Sequence, residues 1–489
     1  MTATETAVQT YKNLINGEWV EAASGETFTT VNPANVKDIV GRFQASAEAD
    51  VIQAMEAAQQ AFAAWRQVPP TKRAEILYRA ADLLEAGLEQ YAEELTREEG
   101  KTIASSRMEV KRSAQTLRYY ASEGLNVAGE TLPSDDATTF VYTRKEPLGV
   151  ISVITPWNFP ISIPVRKIAP ALVTGNTVVF KPASNTPLIA YRLVEALHQA
   201  GLPAGVLNFV TGSASKTGTP LVTHPAVKAV TFTGSTGAGE KINRQVRLST
   251  RVQLELGGKN PLIVMEDADL DYAAGLAVKG GFELTGQACT GTSRVVVMDA
   301  VHDAFVRKLV EKTRQLTVGN GLAKGVEVGP LANESQLRNV LDYVAIGQAE
   351  GAELVIGGEQ LTEGEYADGY YVTPAVFTGV APDMRIAQEE IFGPVISVIR
   401  VASFQEAMDV ANDVEFGLSA AICTSEAGQI QHFIQNIETG MVKINRPTTG
   451  NAYNAPFGGM KMSSTATYRE SGRAALDFYT QIKTVYHGI

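Results

Sequence analysis

The sequence predicts an α/β protein built on parallel sheets. Short apolar, β-rich runs recur along the middle of the chain: "GVISVIT" (149–155), "NTVVFK" (176–181), "GVLNFVTG" (205–212) and "VKAVTFTG" (227–234). Helical segments such as "PLIAYRLVEALHQAG" alternate with them. The runs are apolar almost throughout, which is the pattern of strands covered on both faces. Four strands with crossover helices make a nucleotide-binding type of domain.

Ahead of these strands, from Ala49 to about Gly100, apolar residues return at three- and four-residue steps, so helices are expected to cover the sheet, with Pro69 and Pro70 as a break between them. "ELGGKNPLIVME" then opens a second α/β region that runs through "SRVVVMD", "AFVRKLVEKTRQL", "AELVIGG" and "PVISVIRV" to about Gly459. The last piece, "ALDFYTQIKTVYHGI", alternates like a strand after a helical stretch and has no partner in its own neighbourhood. A lone tail strand of this kind often completes another subunit's sheet.

A chain of 489 residues suits two large domains and a smaller element. Hydrophobic residues make up 45% and charged residues 19%, a globular composition. The formal charge of -11 sets the surface against nucleic-acid phosphates and leaves a small molecule as the expected ligand. "MTATETAVQTYKNL" lacks the basic flank and apolar core of a secretion signal, and no apolar run is long enough to span a bilayer. A cytoplasmic protein is expected, and the presence of only two cysteines, Cys289 and Cys423, agrees with a reducing compartment. Cys423 follows the apolar run in "SAAICTSE" and reads as a buried structural residue.

Cys289 is different. It sits in "FELTGQACTGTSR", among Gly, Gln, Thr and Ser, where a thiol has access and groups that stabilise its thiolate. The five histidines are scattered, with no pair at metal-ligand spacing and none beside Cys289, so neither a metal centre nor a Cys-His pair is indicated. The candidate base is a carboxylate, Glu255 in "LELGGKNP", where paired glycines let the chain turn closely around it. "FTGSTGAGEKI" (232–242) follows a strand and opens a helix, where main-chain N–H groups hold a phosphate. Gly234, Gly237 and Gly239 do not have the G-x-G-x-x-G spacing, so this segment is either a phosphate cradle or a plain tight turn.

"TPWNFP" (155–160), "FKPASNTP" (180–187), "FTGSTGAG" (232–239), "ELGGKNP" (255–261), "GQACTGTSR" (286–294), "EEIFGPV" (389–395) and "PFGGMKMS" (456–463) together resemble the successive signatures of the NAD(P)-dependent aldehyde dehydrogenase superfamily, in order and over nearly the whole chain. The resemblance implies a cofactor domain split between residues 1–124 and 148–256, a catalytic domain at 257–461, and an oligomerisation element at 125–147 and 475–489 that makes a homodimer or homotetramer. It also implies that Cys289 attacks the aldehyde carbon to give a thiohemiacetal, then a thioester after hydride loss. Asn158 and the Cys289 N–H would stabilise the oxyanion, and Glu255 would activate the hydrolytic water.

Cofactor roles follow from the same resemblance. Lys181 and Ser184 meet the adenosine ribose, Ser235 and the loop of Gly234 and Gly239 meet the pyrophosphate, and Trp157, Glu390 and Phe392 position the nicotinamide end. Many NAD-preferring members carry Glu where this chain has Ser184, and the serine removes a charge that repels a 2′-phosphate, so NADP use is expected alongside NAD. No metal is implied.

For the substrate, Arg166 in "IPVRKIAPAL" stands where many members acting on simple aldehydes have a bulky aromatic. It is either a ligand for a carboxylate or a helix arginine with its charge in solvent. Thr448 and Thr449 in "INRPTTGN", with Phe457, match the substrate-pocket segments. Succinate semialdehyde dehydrogenases commonly have Arg at the position of Glu283. "CTGTSR" with "IPVRKIAPAL" is more similar to the 2-oxoglutarate semialdehyde (2,5-dioxopentanoate) dehydrogenases, which puts that aldehyde first and succinate semialdehyde or another short polar or aromatic aldehyde second. Two rivals stand beside this: a non-catalytic family member, and a cysteine hydrolase that needs no nicotinamide.

Overall fold

The computed structural model describes residues 8–465 and 467–488, so the first seven residues of the segment read above for a leader lie outside it. Two seven-stranded sheets dominate. The first has the spatial order Arg251–Glu255, Val227–Thr233, Val150–Ile154, Thr177–Lys181, Leu207–Phe209, Asn13–Ile15 and Glu18–Val20. Its first five strands are parallel, and the two N-terminal strands close the far edge antiparallel. Side chains alternate as a strand requires: Val178 and Phe180 enter the core beneath one face, and Val179 enters the core on the other. That two-sided burial is why these runs carry so few polar residues.

Helices Glu48–Trp65, Pro70–Ala86, Leu88–Glu99 and Ile103–Glu123 precede the parallel strands. Asp50 starts the first by accepting the Ala47 N–H at 2.9 Å, and Pro70 occupies the first turn of the second, where no N–H is needed. The apolar repeat across 73–100 is two helices, parted at Gly87, where a Cβ would come within 2.3 Å of the Tyr91 ring. Gly100 then ends the third helix with a left-handed φ of 97°.

The second sheet runs Glu353–Ile356, Ala375–Thr378, Val395–Val401, Thr292–Met298, Asn260–Val264, Ser419–Cys423 and Met441–Ile444. All its pairings are parallel except that of the edge strand Glu353–Ile356. The strand ends of the two sheets converge. Thr155, Lys181, Gly234 and Glu255 lie at the C-terminal ends of first-sheet strands, while Cys289 and Phe392 lie just before second-sheet strands. Ligands of open parallel sheets bind at such carboxyl ends.

The tail strand finds a partner within the chain. Thr480–Gly488 pairs antiparallel with Thr139–Pro147 of the same chain, from Thr480↔Pro147 to Gly488↔Thr139, and Thr131–Leu132 adds a short third strand. That partner lies in the 125–147 segment grouped with the tail above. Among the described residues no helix is long and apolar enough to cross a membrane.

Candidate active site

Two cavities meet at Cys289. One is lined by Trp157, Asn158, Gly234, Ser235, Glu390 and Phe392. The other is lined by Glu109, Arg166, Glu283, Thr449, Phe457 and Glu470. Cys289 and Thr233 border both.

The Cys289 loop is held from several sides. Leu284, Thr285 and Gly286 take left-handed φ values of 58°, 56° and 69°, and a Cβ on Gly286 would lie 2.1 Å from the Gly393 carbonyl, so only glycine fits there. Asn260 Nδ2 donates to the Cys289 and Gly291 carbonyls at 2.8 and 2.9 Å. Asn158 is buried, and its Nδ2 donates to the Gln287 carbonyl at 2.9 Å, which leaves the second amide hydrogen of that nitrogen available. Cys289 itself is half-buried. Burial and the neighbouring Glu390 charge push its thiol up to about 12, against the pull of Arg166. At neutral pH it is protonated.

Glu255 ends its strand fully enclosed, and its Oε1 accepts the Ser464 hydroxyl at 3.1 Å. Oε2 is buried with no partner. Burial and the Glu470 charge hold its carboxyl well above the usual range, against Lys167 and the Ser464 hydrogen bond. It borders neither cavity directly. Glu390 accepts the Gly258 N–H at 2.8 Å, and burial raises it to about 7 against that hydrogen bond and Lys259.

In the first cavity, Trp157 and Phe392 meet edge to face with centroids 5.4 Å apart. Phe392 has a φ of 57°, and its loop is held by Gln336 Nε2 and Asn339 Nδ2, which donate to the Ile391 carbonyl at 3.0 and 2.9 Å. Ser235 is exposed before helix Thr236–Gln245, with its hydroxyl unused as a cap. Gly239 does not reach the cavity: it lets the helix approach Leu256, whose Cδ2 a Cβ would meet at 2.5 Å. Lys181 and Ser184 sit at the next strand end, outside the part of the cleft that reaches Cys289. Lys181 Nζ donates to the Pro182 carbonyl at 2.7 Å, and burial lowers it to about 8. Ser184 Oγ donates to the Gly212 carbonyl at 2.8 Å, and beside it Asn185 Nδ2 and Thr186 Oγ1 are buried without partners.

In the second cavity, Arg166 Nη2 donates to Ser162 Oγ at 3.0 Å, Nη1 lies 3.9 Å from Glu470 Oε1, and the guanidinium stands 5.7 Å over the Phe457 ring. Lys167 Nζ donates to Glu470 Oε2 at 2.6 Å. Thr449 reaches the cavity, but Thr448 does not. Thr448 is fully buried behind the wall, bridging Thr292 Oγ1 and the Thr290 carbonyl at 2.8 and 2.7 Å. Glu109, Lys167, Gln336, Asn339 and Glu470 went unread in the sequence. The one signal was the cation beside Arg166 in an otherwise apolar helix, a residue that must find a buried partner.

A profile of the aldehyde dehydrogenase family matches residues 19–485. The chain belongs to that family. It is 49% identical to an alpha-ketoglutaric semialdehyde dehydrogenase of Bacillus subtilis over 98% of this chain and 99% of that one. Among solved structures it is similar to a 3,6-anhydro-L-galactose dehydrogenase in complex with NADP, with a TM-score of 0.95, 37% identity, and coverage of 98% and 100%. It is also similar to the betaine aldehyde dehydrogenase of Staphylococcus aureus in complex with NAD+, with a TM-score of 0.95, 33% identity, and coverage of 98% and 95%. Both forms of the dinucleotide therefore occur in this family on this fold.

Proposed function

We propose that this family member oxidises 2-oxoglutarate semialdehyde to 2-oxoglutarate through a thioester on Cys289. The observation that carries the substrate is the placement of Arg166 in the same cavity as Cys289. Lys167 holds the Glu470 carboxylate at 2.6 Å while the Arg166 guanidinium stands 3.9 Å from it, so Arg166 keeps N–H groups to offer a substrate anion. The identity to the Bacillus subtilis enzyme supports the same choice.

The chemistry follows from the side chains. Cys289 Sγ loses its proton to solvent water in the cavity and bonds to the aldehyde carbon, and the Asn158 amide and Cys289 N–H stabilise the oxygen that becomes negative, each such donor being worth about 3 to 4 kcal/mol. When bound, the nicotinamide supplies the hydride acceptor that turns the thiohemiacetal into the thioester. Glu255 then takes a proton from water, whose oxygen bonds to the acyl carbon; the C–S bond breaks, and Glu255 passes that proton to sulfur as the acid departs.

The cleft suits a dinucleotide. Ser235 and the opening N–H groups of helix Thr236–Gln245 take the pyrophosphate, Lys181 and Ser184 the adenosine ribose, and Glu390 with Phe392 the nicotinamide end, a reading supported by Ser235, Glu390 and Phe392 lining one cleft with Cys289. Ser184 carries no charge against a 2′-phosphate, so NADP serves at least as well as NAD. The test is kcat/KM for aldehydes with and without a distal carboxylate, with both cofactors. Equal values for 2-oxoglutarate semialdehyde and hexanal would reject the substrate.

The two cysteines are free thiols, as a cytoplasmic location would keep them. Residues 125–147 and 475–489 serve as the oligomerisation element of a homodimer or homotetramer, a role supported by the exposure of Ile482 and Tyr486 on their shared sheet.

A further inference from the structure

Behind Asn158 lies a fully enclosed ion pair that touches neither the thiol nor the base. Lys101 Nζ donates to Glu109 Oε2 at 2.7 Å and to the Asn158 main-chain carbonyl at 2.6 Å, and stands 4.7 Å over the Phe159 ring. The other oxygen of the same carboxylate, Glu109 Oε1, accepts the N–H groups of Ile161 and Ser162 at 3.2 and 3.1 Å. Those groups open helix Ser162–Val173, one turn before Arg166, and the Ser162 hydroxyl is the one Arg166 donates to. Lys101 and Glu109 expose only 1% and 3% of their side chains, and of the two only Glu109 borders the cavity of Arg166. Burial alone would lower Lys101, but Glu109 and Glu99 keep it raised and charged. Lys101 Nζ lies 2.7 Å from Glu109 Oε2 and 3.8 Å from Glu99 Oε2, so Glu109 is the nearer partner of that charge.

We propose that Lys101 and Glu109 are positioning residues: Lys101 fixes the main chain of Asn158 so that its amide faces the reacting oxygen, and Glu109 fixes the start of the helix that carries Arg166. A single buried pair thereby sets two geometries at once, the oxyanion contact and the grip on the distal carboxylate. Displacement of a catalytic donor by about 1 Å is enough to cost on the order of a hundredfold in rate. The inference rests on the role given to Asn158 above. Its test therefore uses hexanal, which needs no carboxylate grip.

The measurement is the first-turnover NADH burst, its amplitude counting active sites. Lys101→Met should slow the burst tenfold or more in the wild-type background and less than twofold in Asn158→Ala, because a residue that acts through Asn158 has nothing left to position. Equal slowing in both backgrounds, or none in the first, overturns the proposal. Glu109→Gln is the milder variant should Lys101→Met not fold. It keeps an oxygen for the two N–H groups but turns a donor toward Nζ, and it should show the same dependence on Asn158. Glu109→Ala should also lower the kcat/KM ratio of acidic over neutral aldehydes at least fivefold, while Lys101→Met leaves that ratio within twofold. An unchanged ratio in Glu109→Ala overturns the Arg166 arm. If Asn158→Ala alone leaves the burst intact, the oxyanion reading itself fails; a slow Asn158→Ala beside a fast Lys101→Met sinks only the present inference.

Discussion

The Glu255 carboxylate is anchored by one oxygen, Oε1, to the Ser464 hydroxyl at 3.1 Å, while Oε2 is buried and unpaired. Burial and the Glu470 charge raise its pKa, and on the proposed mechanism its duty lies in hydrolysis rather than in the attack by Cys289.

Glu255→Gln should therefore give a normal NADH burst followed by steady turnover at least a hundredfold slower, whereas Cys289→Ser should give no burst. Stopped-flow absorbance distinguishes the two. A wild-type steady state in Glu255→Gln would remove this residue as the base.

The same variant should gain thermal stability, and the sign follows from linkage. Burial raises the folded-state value of Glu255, so its contribution to stability is full below the unfolded value and is lost as pH rises toward the folded one. Gln has no such loss. Scanning calorimetry should find the Tm gain of Glu255→Gln larger at pH 8 than at pH 5; a gain independent of pH would contradict it.

Cys289 should react as a thiol of high pKa in the free enzyme. With its value raised to about 12, the thiolate fraction grows tenfold per pH unit through the neutral range, and iodoacetamide alkylation should rise without a plateau up to pH 10. A plateau near pH 8 would mean that the groups around the sulfur lower its pKa rather than raise it.

Arg166→Ala should raise KM for 2-oxoglutarate semialdehyde about ten- to a hundredfold, the loss of a charge-assisted bond of roughly 1.5 to 3 kcal/mol, and leave hexanal unchanged or improved. Arg166→Lys should recover only part, because an ammonium lacks the planar fork. The telling quantity is the acidic-to-neutral ratio of kcat/KM, and an unchanged ratio makes Arg166 a scaffold residue.

Ser184→Glu should lose NADP far more than NAD, since a carboxylate placed near the 2′-phosphate adds like-charge repulsion on the order of a few kcal/mol. Equal losses in KM for both would place Ser184 away from the adenosine end.

The strands of both sheets were legible because burial on two faces leaves a plain apolar signature, and Cys289 was legible because its neighbours are polar and small. Helix Ile103–Glu123 was not read. Its buried face mixes Ser106, Glu109, Ser113 and Thr116 with Val110, Leu117 and Tyr120, which blurs the apolar repeat. Glu470 looks like any surface charge until the fold brings Lys167 to it across 303 residues. The tail strand was seen as a strand and grouped with 125–147 only through the family resemblance, because pairing with so remote a segment as Thr139–Pro147 has no local trace. Thr448 was placed in the pocket with Thr449 because "INRPTTGN" matches the family's substrate-pocket loop; of these two neighbours only Thr449 faces the cavity.

The convergence of two cavities on Cys289 gives the two reactants separate doors. On the proposed function the aldehyde comes in past Arg166 and Phe457 and the dinucleotide along the strand ends past Gly234 and Phe392, and the two cavities share Cys289 and Thr233. Neither traveller blocks the other's exit. The acid can leave by its own passage while the spent dinucleotide is still in place, and the order of departure is then set by how tightly each is held rather than by a queue at a common gate.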